Sequence, residues 1–396
     1  MSVRRPGYDV IIVGGGPSGS ALGKLLAERG MSVVILEKRR FPRSKPCGGL
    51  ITPKCARTIA AIYGEDLVPR AARASSCGCR LFRGREFVAE AAIDLPTFFI
   101  DRSALDLSLL TAAKDAGCVV REDSQVVDAG MAGPGVHLFS GEEICGSVIV
   151  GADGANSVVS RAIWHTSRGQ QRDTGLGFVA DLPLAEIQDA ELRRACATTP
   201  HIFFGVVPWG YAWVFPNGGM VNVGVGGLLR KNPAMVQCFR SFVATHFAPE
   251  TARNAVPKGH LVPYGSFETV PGKANALLVG DAAGLADPIT GEGLGPAFQS
   301  AGLAADAIGA AIARGNPARA GQIYSSAIAK AMHRDLRVSR TARLLLFPRL
   351  LLPLAMRALR RDPSLVKEFL HILSGERRHG GFGRALVASF LRRRRA

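Results

Sequence analysis

The chain has 396 residues, 47% of them apolar, and a formal charge of +17, which is long enough for two or three packed domains and too apolar for a disordered polymer. No stretch reaches the roughly twenty uninterrupted apolar residues that a membrane-spanning helix needs, and Arg4-Arg5-Pro6 runs into a strand pattern with no signal-type apolar segment. The expectation is a cytoplasmic protein without a metal site: its eight cysteines lack ligand spacing, Cys77 and Cys79 being a single residue apart, and read as small buried thiols.

The first predicted element is a buried strand at residues 10–13. It is followed by the turn GGGPSG (residues 14–19), an Ala- and Leu-rich helix, a second strand at 33–36, and Glu37. In a dinucleotide-binding unit Gly14 permits the tight turn, Gly16 lets backbone approach a pyrophosphate, and Gly19 lets helix pack on strand. Pro17 and Ser18 lie in the same phosphate-facing turn, at a helix N-terminus that attracts negative charge. Glu37, about twenty residues further on, can accept hydrogen bonds from both ribose hydroxyls of an adenosine and would repel a 2'-phosphate; Lys38 follows it. Strand, turn, helix, strand and acid in this order predict binding of FAD or NAD.

Residues 99–117 predict a helix capped by Asp101 or Ser103, with Leu105, Leu109 and Ala112 or Ala113 on one face. Short strands are predicted at 119–121, 126–127, 136–139 and 147–150, the last running into GADGANS (residues 151–157). Residues 78–93, 175–181 and 201–227 carry aromatic and β-branched side chains at alternating spacing, as strands of an antiparallel sheet do. A further buried strand at 276–279 ends in Gly280-Asp281, a small-residue helix is predicted at 297–313, and the rest reads as helical and basic. The predicted fold is α/β: a discontinuous Rossmann-type nucleotide domain (1–77, 98–174 and 272–313), an inserted antiparallel β-sheet substrate domain (78–97 and 175–271), and a C-terminal helical region (314–396).

Charge is concentrated at the C-terminal end. From Lys330 onward there are seventeen Lys or Arg against four acids, so thirteen of the seventeen excess charges lie there. Nucleic acid is not the expected partner, because no nucleic-acid motif accompanies these charges and they alternate with Leu344-Leu345-Leu346-Phe347 and Leu350-Leu351-Leu352. Two readings stand side by side: peripheral contact with an anionic membrane, on its inner face, or a helical subdomain whose leucines are core. Arg392 to Arg395 read as a solvated tail.

Asp281, at the lip of a sheet, can accept hydrogen bonds from a polyol such as ribitol, which favours FAD over NAD. Beyond it Pro288, Gly291, Gly293 and Gly295 form a turn with few obstructing side chains, leaving backbone N–H groups free for the N1/O2 edge of a flavin. Together the GGGPSG turn with Glu37, GADGANS, and GDAAGLADPITGEG (residues 280–293) resemble the para-hydroxybenzoate hydroxylase superfamily of FAD-dependent oxidoreductases over about residues 8 to 310. Within it KPCGGLITP (residues 45–53), GYAWVFPNGGMVNVGVGG (residues 210–227) and DAAGLADPITGEG are similar to the geranylgeranyl reductase family. That resemblance implies a cysteine segment beside the flavin, a Tyr-x-Trp-x-Phe-Pro strand lining a lipid tunnel, and reduction of isoprenoid double bonds by reduced FAD.

Carried onto this chain, the resemblance puts Gly14, Gly16 and Gly19 at the pyrophosphate and Glu37 at the adenine ribose. Arg102 falls at a phosphate or flavin edge, Asp281 at ribitol, and Gly291, Gly293, Leu294 and Gly295 at the pyrimidine edge. Val126, Asp153, Gly154, Gly280, Gly48 and Gly49 complete the expected cofactor contacts, with Asp153 also fitting a simple cap at a strand end. Cys47, held between Pro46 and Gly48-Gly49, is the expected active-site thiol and a flavin contact. Tyr211 and Trp213 share a strand face with Phe215 following, and are expected to line the substrate slot. An isolated alkene accepts hydride only with a proton delivered to its other carbon; Cys47, Tyr211 or a held water can supply it.

Gly224-Val225-Gly226-Gly227 does not open a helix and lacks the sixth-position glycine, so no second dinucleotide unit is predicted. Electrons would come from NADPH docked transiently or from a reduced ferredoxin-type protein steered by the basic surface. The alternative activities on this scaffold are an FAD-dependent monooxygenase and a halogenase; against the latter, Tyr211 and Phe215 stand where a halogenase has Trp and Ile.

Overall fold

The computed structural model describes residues 7–130, 135–165, 173–374 and 376; the terminal arginines 392–395 lie outside them. Two eight-stranded sheets organise the chain. The first has a parallel centre: β1 (Tyr8–Val13) lies between β2 (Val33–Leu36) and β9 (Glu143–Gly151), with β6 (Val119–Arg121) beyond β2 and β16 (Ala276–Leu278) beyond β9. Antiparallel additions close its far side, β15 (Gly272–Lys273) on β16 and the β7 (Val126–Gly130)/β8 (Gly135–Leu138) hairpin on β9. The central strands are buried on both faces, as their unbroken Val/Ile/Leu runs require.

Helix α1 (Pro17–Ala27) packs against α4 (Arg102–Asp115) and α9 (Leu294–Ala313). The β1-to-α1 turn depends on bare backbone. Gly14 sits at φ +105°, and a Cβ on Gly19 would lie 1.9 Å from the Gly14 carbonyl oxygen, so any side chain there would drive the helix off the strand. Helix α4 is capped by Asp101, whose carboxylate accepts from the Ser103 and Ala104 amides.

In the second sheet the order is β14 (Lys258–Val262), β10 (Gly175–Pro183), β13 (Met220–Leu228), β12 (Gly210–Asn217), β11 (His201–Phe204), β4 (Ala72–Arg83), β5 (Glu86–Ile100) and β3 (Leu50–Ile51). Two expectations are corrected here. The strands β4 and β5 run from Ala72 to Ile100, beyond the expected 78–97, because they form one long hairpin paired almost end to end. The sheet is also mixed rather than purely antiparallel, since β11 pairs with β4 in parallel, the chain having passed from β5 through strands of the first sheet, then β10 and α6 (Ala190–Cys196), before it returns.

Along β12 the side chains alternate as a two-sided strand must. Ala212 and Val214 join the core beneath α7 (Met235–His246), whereas Tyr211, Trp213 and Phe215 face the opposite side. The neighbouring strand leaves room for them: a Cβ on Gly224 would lie 2.2 Å from the Trp213 ring, so the alternating Gly/Val pattern of β13 is the imprint of an indole lying on its backbone.

The C-terminal leucines divide between core and exposed surface. Helices α11 (Arg334–Leu346), α12 (Leu352–Arg361) and α13 (Pro363–Leu373) bury Leu346, Phe347, Met356, Leu359 and Phe369 in the core that also holds Trp213 and Phe215. Arg343 of α11 is only 4% exposed and donates to Asp173, 2.5 Å away, and to the Tyr264 carbonyl. Leu344, Leu345, Leu350, Leu351 and Leu354 face solvent. Phe347→Ala should therefore cost about 3–5 kcal/mol of stability, and Leu350→Ala about 0.5 kcal/mol or less; denaturant midpoints of the two variants check the division.

Candidate functional site

A cavity of about 930 Å³ opens between the two sheets and gathers most of the expected site residues. One wall comes from the strand ends of the first sheet: Gly14, Gly16, Pro17 and Ser18 after β1, Glu37 and Lys38 after β2, Val126 at the start of β7, Asp153 and Gly154 after β9, and Asp281, Gly291, Gly293 and Leu294 after β16. Parallel strands place their carboxyl ends on one side, which is why segments so far apart in sequence meet. The other wall is the substrate sheet, with Tyr211, Trp213 and Phe215 on β12 and His260 on β14; Cys47 and Gly48 come from the loop between β2 and β3. Gly19, Gly49, Gly280 and Gly295 stand behind the lining and shape it. Gly49, at φ +70°, comes so close to the Ile100 carbonyl that a Cβ would lie 2.5 Å from its oxygen.

Glu37 is 5% exposed. Its carboxylate accepts from the Gly15 amide at 2.9 Å and the Arg39 amide at 3.0 Å, so it braces the glycine turn as well as facing the cavity. Arg102 is 7% exposed and lines the cavity. Its guanidinium grips Asp106, one helical turn on, with three contacts of 2.9–3.1 Å. Burial opposes its charge, but Asp106 and the neighbouring Cys47 outweigh that and raise its pKa further. Asp153 proves to be a cap: one oxygen accepts from the Val158 amide at 2.6 Å at the start of α5 (Val158–Trp164), while the other is buried with no hydrogen-bond partner.

Cys47 is half-buried, its sulfur accepting from the Gly49 amide at 3.4 Å. Its carbonyl accepts from Asn222 Nδ2 at 3.2 Å, and the same amide side chain takes the Trp213 indole N–H on its oxygen at 2.9 Å. The three aromatic rings of β12 follow one another at centroid distances of 5.8 and 5.9 Å. Tyr211 donates its hydroxyl proton to the Thr290 carbonyl, and burial raises its pKa, so it is a poor acid toward anything in the cavity.

Three cavity residues escaped the sequence reading. Glu292 lies between Gly291 and Gly293; burial pushes its carboxyl up to about 7 against a hydrogen bond from Thr52 at 3.1 Å, with Asp287 adding to the rise. The signal was an acid inside a glycine turn, hidden among the turn glycines. Lys45 has its pKa lowered by burial and by Arg102. His260 is held neutral by burial and then by the Lys45 ammonium, and its Nε2 has no partner. Only tertiary contact brings these last two together.

The sequence matches the FAD binding domain family over residues 7–327. It is 31% identical to the digeranylgeranylglycerophospholipid reductase of Methanosarcina mazei, over 78% of this chain and 77% of that protein. The chain belongs to the geranylgeranyl reductase family of FAD-dependent oxidoreductases. A menaquinone reductase of Mycobacterium tuberculosis is 28% identical over 87% of this chain and 85% of its own. Among solved structures, a geranylgeranyl bacteriochlorophyll reductase-like protein from Thermoplasma acidophilum superimposes with a TM-score of 0.71 at 23% identity, covering 86% of this chain and 87% of that one. Flavin-dependent halogenases share the fold at 17–19% identity.

The cavity of this reductase-family chain fits FAD on its own terms. Helix α1 has no side-chain cap, so the amides of its first turn are free to meet a phosphate. A Cβ on Gly154 would meet nothing within 4 Å and one on Gly16 nothing nearer than 3.6 Å, both on the cavity side. Asp281 faces the same space, its carboxylate accepting no hydrogen bond among the described residues. Glu37→Ala should lower the flavin content of the purified protein, each charge-assisted hydrogen bond lost being worth about 1.5–3 kcal/mol. Absorbance of the released flavin measures it, and full occupancy would move the ribose away from Glu37.

Proposed function

We propose that this chain saturates carbon–carbon double bonds of a polyprenyl lipid. The observation that carries the reading is that a dinucleotide cradle and the Tyr211, Trp213 and Phe215 stripe open into one and the same cavity. Digeranylgeranylglycerophospholipid and menaquinone, named in the two relatives, share a polyprenyl chain, and a slot walled by aromatic rings and Ile202 suits such an apolar chain.

Gly14, Gly16 and the first turn of α1 would hold the FAD pyrophosphate, Glu37 the adenine ribose, Asp281 the ribitol, and Arg102 with the Gly291–Gly293–Gly295 turn the isoalloxazine edge. When bound and reduced, FAD supplies a hydride. The chain must supply a proton to the other alkene carbon, and Glu292 is the group suited to it: it lines the cavity, is held by Thr52, and keeps a proton near neutrality. Tyr211 instead fixes the wall through Thr290, and Cys47 stands beside the reacting carbons. Reducing equivalents arrive from a transient donor, NADPH or a reduced ferredoxin-type protein. Among the described residues no helix is long and apolar enough to cross a membrane; a polyprenyl lipid is itself a bilayer component, and on this reading the enzyme meets it at a membrane face.

The test is anaerobic: photoreduced enzyme mixed with geranylgeranyl lipid should reoxidise and yield saturated product. Reoxidation by oxygen alone would favour a monooxygenase or halogenase. Under the same conditions Cys47→Ala should keep its flavin and slow alkene reduction; unchanged turnover removes the thiol from the reaction.

The useful form of Glu292 is protonated, so the single-turnover rate should be full at acidic pH and fall as pH rises through about 7. Glu292→Gln should remove that limb and lower the rate by about a hundredfold or more, with flavin spectrum and melting midpoint retained.

A further inference from the structure

Thirteen large apolar side chains are exposed among the described residues, and five of them, Leu344, Leu345, Leu350, Leu351 and Leu354, fall within eleven residues at the α11–α12 corner. Isolated exposed leucines are ordinary, but a cluster of this kind marks an interaction surface. Leu350 is 87% exposed, at the tip of the connection between the helices. On α12, Leu354, Arg357 and Arg361 are spaced by three and four residues and lie on the exposed face, while Ala355, Met356, Ala358 and Leu359 pack inward toward β5.

The charge around this corner has one sign. From Leu336 to Arg361 there are seven arginines and no acidic residue. Arg343 is committed to Asp173 and Arg360 to Glu86, and Arg340 lies over the Phe267 ring. Arg349 and Arg357 are exposed and have no ion-pair partner within 4 Å among the described residues, and they flank the leucines. A second copy of this surface would be repelled by the same arginines. An apolar knob ringed by free guanidinium groups suits a layer with anionic headgroups above hydrocarbon.

We infer that the α11–α12 corner docks the enzyme on an anionic bilayer, with Leu350 and Leu354 entering the acyl layer and Arg349 and Arg357 at the headgroups. The inference deepens the proposed function, because a polyprenyl lipid is dissolved in such a bilayer. The helices that carry the corner also bury Leu346 and Met356 in the core shared with Trp213, so docking surface and substrate slot rest on one packed cluster.

The experiment is sedimentation of the full-length, flavin-loaded protein with vesicles of equal parts phosphatidylcholine and phosphatidylglycerol. The native chain should pellet with these vesicles, be released by high salt, and stay in solution with pure phosphatidylcholine. The Leu350→Glu, Leu354→Glu double variant should lose at least tenfold in vesicle affinity while keeping its flavin, its melting midpoint, and its turnover of a detergent-dispersed prenyl substrate. Native protein that stays in solution with anionic vesicles, or a double variant that pellets like the native chain, overturns the inference. So does a native dimer in light scattering that the double variant abolishes, which would make a second copy the occupant. Vesicle binding without alkene reduction would instead count against the proposed reaction and leave the docking surface standing.

Discussion

The two walls of the cavity are tied to each other through Asn222. This side chain, 8% exposed, takes the indole proton of Trp213 on its oxygen and gives its amide protons to the Cys47 carbonyl and the Asp181 carboxylate. A strand of the substrate sheet, its largest aromatic ring, and the loop from the nucleotide side are thereby held in one network. Each buried polar atom of such a network is costly to leave alone, so its members keep their geometry with an empty space beside them.

The rest of the site is ordered by bare backbone on each side of that tie. Gly14 and Gly19 let α1 start against β1 with its amides uncapped, and Gly224 gives the Trp213 ring a flat seat. The cavity therefore has a polar end, where backbone donors and the carboxylates of Glu37 and Asp281 face inward, and an aromatic end on β12. Glu292 belongs to the same lining. Its pKa is raised by burial, which outweighs the hydroxyl donor from Thr52, with Asp287 adding to the rise.

The C-terminal helices complete the molecule by covering the hairpin face of the substrate sheet. Their apolar content has two destinations, because a helix packed on a sheet buries only one side. Leu346, Phe347 and Met356 are core, while their neighbours in sequence are left in solvent. In composition these residues are one greasy and basic segment, with nothing to divide core from surface within it.

By itself the sequence determined the nucleotide unit, since strand, turn, helix and Glu37 interact within thirty residues and each glycine is required by local geometry. It also determined the two faces of β12, because alternation is a property of any strand, and the helix capped by Asp101. What needed the tertiary structure was everything set by contact at long range. The extent of β4 and β5 and the parallel pairing of β11 with β4 follow from strand partners, which no local pattern records. The capping role of Asp153, the burial of Arg102 against Asp106, the meeting of Lys45 with His260, and the protonation of Glu292 all depend on which groups share a low-dielectric space. A side chain's identity is written locally; its solvation and its partners are decided only when segments hundreds of residues apart close around it.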